Sequence, residues 1–387
     1  MKQEEIDRHV SALREKHGDG RVTRNQVIEY EKEVSRSNVY GNIRKHSTDA
    51  GRGYVDLNTY NAQSSSPVTP VRKNDDIQHT TVNGSQKLSI QRADTPDRND
   101  LIPAVNPNYI PWGHYSKTKK ILSSGMFMPI YITGDTGNGK TLGVLQACAN
   151  LKRPAIVFNC NKDMTESDLI GTYVIIDGNV VWQDGPVLVA MRTGSVLVLD
   201  EIDQATSRIL CLQTIVDGAE SYYNKKTNET IIPHDDFMVI GTANTKGQGD
   251  STGRWIGAEE MNEAFLERFP ITIEQQYPTP SAERKILDKY TDDKNLRDAL
   301  IKWANVSRRS FEKDALDSMI TTRRLVYILK TDMIFNNIKH SIQYCTNRFD
   351  RGVRDALVNL FDKVYAGEPV DDGSDGELDS EDYNESL

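Results

Sequence analysis

The residues with the plainest chemical potential form the run Gly134-Asp135-Thr136-Gly137-Asn138-Gly139-Lys140-Thr141, which satisfies G-x-x-x-x-G-K-[ST]. Glycines at this spacing let backbone N–H groups turn inward around an anion, and a helix start adds the positive end of its dipole. Lys140 would neutralise the β- and γ-phosphates of ATP, and the Thr141 hydroxyl would coordinate Mg²⁺. The context such a loop demands is present. Residues 128–133 (MPIYIT) read as a short strand, and LGVLQACANL after the loop reads as a helix. A glycine-rich turn without chemical role is the competing reading, which this context disfavours.

Two more apolar runs end in polar residues. Residues 195–199 (SVLVL) predict a strand buried on both faces of a parallel sheet, and Asp200-Glu201-Ile202-Asp203 follow it. Carboxylates at the C-terminal end of such a strand face the crevice where open α/β sheets bind ligands. Asp200 is expected to reach Mg²⁺ through water, Glu201 to polarise the attacking water, and Asp203 to cap the next helix. A polar loop after a core strand is the bland alternative. The third run, residues 237–241 (FMVIG), ends in Thr242-Ala243-Asn244.

These motifs, in this order and spacing, resemble the AAA+ ATPases. The resemblance implies an α/β P-loop domain, a parallel sheet flanked by helices with inserted β-hairpins, followed by an α-helical lid. It implies that Asn244 is the first sensor, against a turn residue as the alternative. It also implies that Arg268, in EAFLERFP, reaches the γ-phosphate of a neighbouring subunit, with Arg254 in TGRW as a second candidate and a surface salt bridge as the alternative for both. In Thr321-Thr322-Arg323-Arg324 the family's second-sensor arginine aligns best with Arg323. Thr322 replaces the usual proline, so Arg324 stays open. Trp112, in PWG upstream of the loop, is either core or part of the adenine pocket.

The text SDLIG…DGPVLVAMR, residues 167–192, looks like MoxR-type ATPases and the small ATPase subunit of cobaltochelatase (CobS), of the dynein-related type. Asp177-Gly178 between two β-rich arms predicts a hairpin, and a second hairpin is expected within residues 220–233. The resemblance covers roughly residues 101–365. It implies a homo-oligomeric, hexameric ring that remodels or activates a protein partner carrying an integrin-like (VWA) metal-binding domain, and it leaves chelatase chemistry open. Forms of this group are encoded in phage genomes, whose products would act in the host cytoplasm.

The elements that must carry these residues separate by composition. The 387 residues divide into a small helical N-terminal region (1–45), a polar flexible linker (46–100), an α/β nucleotide-binding domain (101–280), a helical lid (281–366) and an acidic tail (367–387). Helices are expected at residues 4–16 and 23–35, the second capped by Thr23. From Glu368 onward there are nine Asp or Glu and no Lys or Arg, which equals the whole net charge of −9. The remaining body is near neutral, which gives no global case for nucleic acid. Four dispersed cysteines and a charged N-terminus without an apolar core fit a cytoplasmic protein, and no run is long enough to span a membrane. A nucleic-acid motor is the second reading, resting on Lys225 and Lys226 at the second hairpin's tip. A scaffold without hydrolysis, using the N-terminal helices (with Arg44, Lys45 and Arg52 on anions) and the tail, is the third.

Overall fold

The computed structural model describes residues 3–17, 21–23, 27, 30, 54–56, 91–249 and 258–370. Its centre is a five-stranded sheet of β1 (Ile130–Thr133), β2 (Ala155–Asn159), β3 (Val196–Asp200), β4 (Met238–Ala243) and β5 (Ile271–Glu274). All are parallel, in the order β5-β1-β4-β3-β2. Strands β1, β3 and β4 are short apolar runs, buried on both faces as a helix-covered parallel sheet requires. Their side chains alternate between two cores. Val196, Val198, Ile130 and Ile132 pack with Val144 and Ala147 of the helix Lys140–Asn150. Leu197, Leu199 and Tyr131 pack with Val187 and Met191 of the helix Pro186–Thr193.

This order decides where chemistry can gather. The loops leaving β1, β4 and β3 emerge side by side at the carboxyl edge, because β4 pairs with both of the other strands. Residues far apart in sequence therefore meet there.

Two hairpins leave this frame. Gly171–Ile176 pairs with Asn179–Asp184 around Asp177-Gly178, both of positive φ, as a type I′ turn needs. Tyr222–Asn224 pairs with Glu229–Ile231. Tyr173 Oη donates to the Lys226 carbonyl at 2.7 Å, which ties the hairpins together, and Lys226 Nζ donates to Ser167 Oγ at 2.9 Å in the helix Glu166–Ile170 that precedes the first hairpin. Glu229 accepts from Arg92 and Arg192, and Arg192 also holds Asp184. The linker reading therefore ran too far. Gln91–Arg92 pairs with Val181 and Trp182, and Arg92 belongs to the folded body.

The helices Pro280–Leu287, Lys294–Glu312, Thr322–Phe335, Ile338–Thr346 and Arg351–Tyr365 enclose their own core around Trp303, Leu325 and Phe361. In the N-terminal region, Gln3–His17 forms the expected first helix. Arg21–Thr23 forms a strand paired with Tyr54–Asp56, and the expected second helix with its Thr23 cap lies largely outside the described residues. Most of residues 23–35, with Arg44, Lys45, Arg52, Arg254 and the tail beyond Val370, lie outside the described residues.

Candidate active site

The loop between β1 and the helix Lys140–Asn150 is built by glycine conformations. Gly134, Gly137 and Gly139 all have positive φ. A Cβ on Gly134 would strike the Gln275 carbonyl, and one on Gly137 would come within 2.9 Å of Thr321. The helix starts at Gly139 without a side-chain cap, leaving its first N–H groups to the loop's concave side. Gly134-Asp135-Thr136-Gly137-Asn138-Gly139 thus forms a backbone cradle of the kind that receives phosphate.

Lys140 is buried, and its Nζ donates to the carbonyls of Gly134 (2.6 Å) and Asp135 (2.9 Å) and to Asn244 Oδ1 (3.1 Å). Burial lowers its pKa to about 8, with Arg323 adding to the effect and Asp203, Asp135 and Asp200 opposing it. Thr141 Oγ1 donates to Asp200 Oδ1 at 2.6 Å, and Thr242 Oγ1 donates to the same oxygen. This hydroxyl and carboxylate are hard oxygen donors that fit Mg²⁺ shared with phosphates. Among the described residues no cluster of three or more His, Cys, Asp or Glu could cage an ion by itself.

Glu201 follows Asp200 in the left-handed region, φ 55°, a conformation disfavoured for a residue with a side chain. Partial burial, then Asp200 and Asp203, push its pKa up, while Lys140 and Arg323 pull it down. Its Oε2 accepts from Gln204 Nε2 at 2.9 Å. Asp203 caps no helix. Its Oδ2 accepts instead from the backbone N–H groups of Asn244 and Thr245, both at 2.9 Å.

Three residues that sequence reasoning missed hold the loop from behind. The Gln275 carbonyl accepts from Asn138 Nδ2 at 2.6 Å, and Gln275 Oε1 accepts from the His114 N–H at 2.8 Å. His114 Nε2 donates to the Lys140 carbonyl at 2.9 Å, and Nδ1 lies 3.0 Å from Thr118 Oγ1. Burial lowers the His114 pKa to about 4. Tyr277 Oη donates to the Thr136 carbonyl at 2.7 Å, while the Arg308 guanidinium covers its ring at 4.2 Å. No motif marked these positions. A His before a helix and a Gln just after a strand carry no local signature.

Trp112 is half-buried rather than core, and its ring edge lies 3.4 Å from where a Gly139 Cβ would stand. Arg323 and Arg324 part company. The Arg323 N–H donates to the Gly137 carbonyl at 3.3 Å, and its charge acts on both Lys140 and Glu201. Arg324 turns into the lid, covering the Phe349 ring at 4.4 Å and donating to the Cys345 carbonyl.

The AAA domain model of the dynein-related subfamily matches residues 129–269, the span from β1 through Phe269. Residues 129–269 form an AAA+ ATPase domain. The chain is similar to Protein NorQ of Paracoccus denitrificans, 27% identical over 243 residues, covering 60% of this chain and 87% of that one. It is likewise similar to Protein CbbQ of Hydrogenophilus thermoluteolus, 28% identical over 202 residues, covering 52% and 72%. Aerobic cobaltochelatase subunit CobS of Sinorhizobium sp is 26% identical over 220 residues, covering 54% and 66%. These similarities agree with the resemblance to MoxR-type ATPases and lend no support to a phage origin. No described helix is long and apolar enough to cross a membrane.

Two charged features of this AAA+ domain sit outside the cluster around Lys140. Arg268 pairs with Asp217 at 2.9 Å and donates to the Ala264 carbonyl. Lys226 donates to Ser167, in the helix Glu166–Ile170 just before the first hairpin, while Lys225 is exposed at the tip.

Proposed function

We propose that this ATPase works as a ring motor that uses Mg²⁺-ATP to remodel a protein partner in the cytoplasm. Lys140 and the loop N–H groups hold the triphosphate, and Trp112 lies beside the base. Thr141 and Asp200 would hold Mg²⁺, which when bound would supply charge stabilisation at the transferring phosphoryl. Glu201 orients and polarises the attacking water, Asn244 fixes that water or the γ-phosphate, and Arg323 brings lid charge to the same point. Arg268 acts on the next subunit's nucleotide after exchanging Asp217 for phosphate.

The observation that carries this reading is the convergence of Lys140, Asn244, Thr141 and Asp200 through hydrogen bonds at one sheet edge. A protein partner suits the hairpin better than nucleic acid does. Its tip exposes Ile175, Ile176 and Val180, and Lys226 is already engaged. The resemblance to cobaltochelatase-type motors directs the first partner search to proteins with an integrin-like metal-binding domain.

Subunit mixing tests the shared site. Glu201→Gln disables its own pocket, and Arg268→Ala disables the neighbour's. Each alone should turn over ATP at least about a hundredfold more slowly, an effect in the range known for such groups. Mixed together, they regain activity only at interfaces that pair an intact Glu201 with an intact Arg268. Absence of any recovery, with both variants still assembling, contradicts a site shared between subunits.

A further inference from the structure

Asp203 is fully buried, yet it makes no ion pair among the described residues. It sits in the short turn Ile202–Gln204 that follows Asp200 and Glu201 directly. Its Oδ2 gathers three donors, the N–H groups of Asn244 and Thr245 at 2.9 Å each and Thr245 Oγ1 at 3.0 Å. Its backbone carbonyl accepts from the Glu259 N–H at 2.9 Å. Its second oxygen, Oδ1, is buried and has no hydrogen-bond partner among the described residues.

Burying a carboxylate is costly unless strong donors satisfy it, and here the donors come almost wholly from one place, the turn after β4. Thr245 is itself anchored to β1, because its carbonyl accepts from Tyr131 Oη (3.0 Å) and Thr133 Oγ1 (2.8 Å). We propose that Asp203 is a positioning residue that locks the Asn244 turn to the Glu201 turn. It thereby sets where the Asn244 amide stands relative to the water held by Glu201. The same clamp grips both ends of the excursion between β4 and the helix Glu263–Leu266, one through the side chain and one through the Glu259 N–H.

The arrangement explains two features together. Glu201 keeps a left-handed backbone because the residue two positions on is fixed by three hydrogen bonds. Asn244 presents Oδ1 to Lys140 at 3.1 Å because its own N–H is tied down on the opposite side.

The proposal rests on the reading of Asn244 as the sensor, and a double-mutant cycle separates the two. Asp203→Asn keeps the shape and one acceptor but removes the charge that draws the donors in. In the assembled full-length protein with Mg²⁺-ATP, kcat should fall about tenfold to a hundredfold, as for sub-ångström misplacement of a reacting group. ATP affinity, read with a fluorescent ATP analogue, should change by less than about threefold, since only transition-state positioning is lost. In an Asn244→Ala background the same substitution should alter kcat by less than about twofold, because the group it positions is gone. Should Asp203→Asn not fold, Thr245→Val removes one of the three donors and should give a smaller fall with the same non-additivity. Wild-type kcat in Asp203→Asn, or losses that multiply in the double variant, overturn the clamp and leave Asn244 as sensor intact. Wild-type kcat in Asn244→Ala overturns the sensor reading and the clamp with it.

Discussion

Acid should unfold this ATPase from behind its nucleotide site. His114 is buried, and in the folded protein its pKa is lowered from 6.5 to about 4, mainly by desolvation. A base whose folded pKa is depressed contributes its full stability above pH 6.5. It loses that contribution as pH falls toward 4, because the unfolded chain binds the proton first. The 2.5-unit gap corresponds to about 3 kcal/mol at most, of which about 2 kcal/mol disappears between pH 7 and pH 5. His114→Gln retains a donor for the Lys140 carbonyl and does not titrate. Denaturant unfolding from pH 7.5 down to 4.5 should therefore show wild type and variant converging, with the wild type losing about 2 kcal/mol more by pH 5. Parallel pH slopes in the two proteins would refute the claim that His114 is held neutral.

Other outcomes follow from neighbouring geometry. Glu283 and Arg308 form a buried bidentate pair in the lid, joined by Thr322, so Glu283→Gln should cost about 3 kcal/mol or more by leaving the guanidinium uncompensated, seen as a lowered Tm. Tyr277→Phe keeps the ring under Arg308 but frees the Thr136 carbonyl, and should cost about 1 kcal/mol of ATP binding, measured by titration. Arg323→Ala should reduce kcat while leaving Tm close to wild type. Arg324→Ala should do the reverse, losing about 1–2 kcal/mol of stability with turnover retained, because its contacts are Phe349 and the Cys345 carbonyl.

The parts of the site that were legible in sequence are those whose chemistry fixes local pattern. The glycine spacing of the loop was readable because positive φ at Gly134, Gly137 and Gly139 restricts residue choice. The buried runs of β3 and β4 were readable because a parallel sheet tolerates no polar face, and Asp177-Gly178 because a tight hairpin needs positive φ. The choice between Arg323 and Arg324 was not, since one helix position rotates a side chain from the loop into the lid core. Asp203 looked like a helix cap because cap and clamp use the same carboxylate chemistry, and only the β3–β4 pairing brings Asn244 and Thr245 to it. His114, Gln275 and Tyr277 were silent, because their roles rest on contacts with residues 26 to 161 positions away. Arg92 escaped because a two-residue strand is too short for any periodicity.

The most direct measurement is equilibrium binding of ATP with magnesium to the purified chain and to Lys140→Ala, alongside hydrolysis by Glu201→Gln. Wild type should bind and hydrolyse ATP, Lys140→Ala should lose at least about tenfold in affinity, and Glu201→Gln should bind while turning over very slowly. Undiminished binding by Lys140→Ala, or wild-type turnover by Glu201→Gln, would contradict the proposed site.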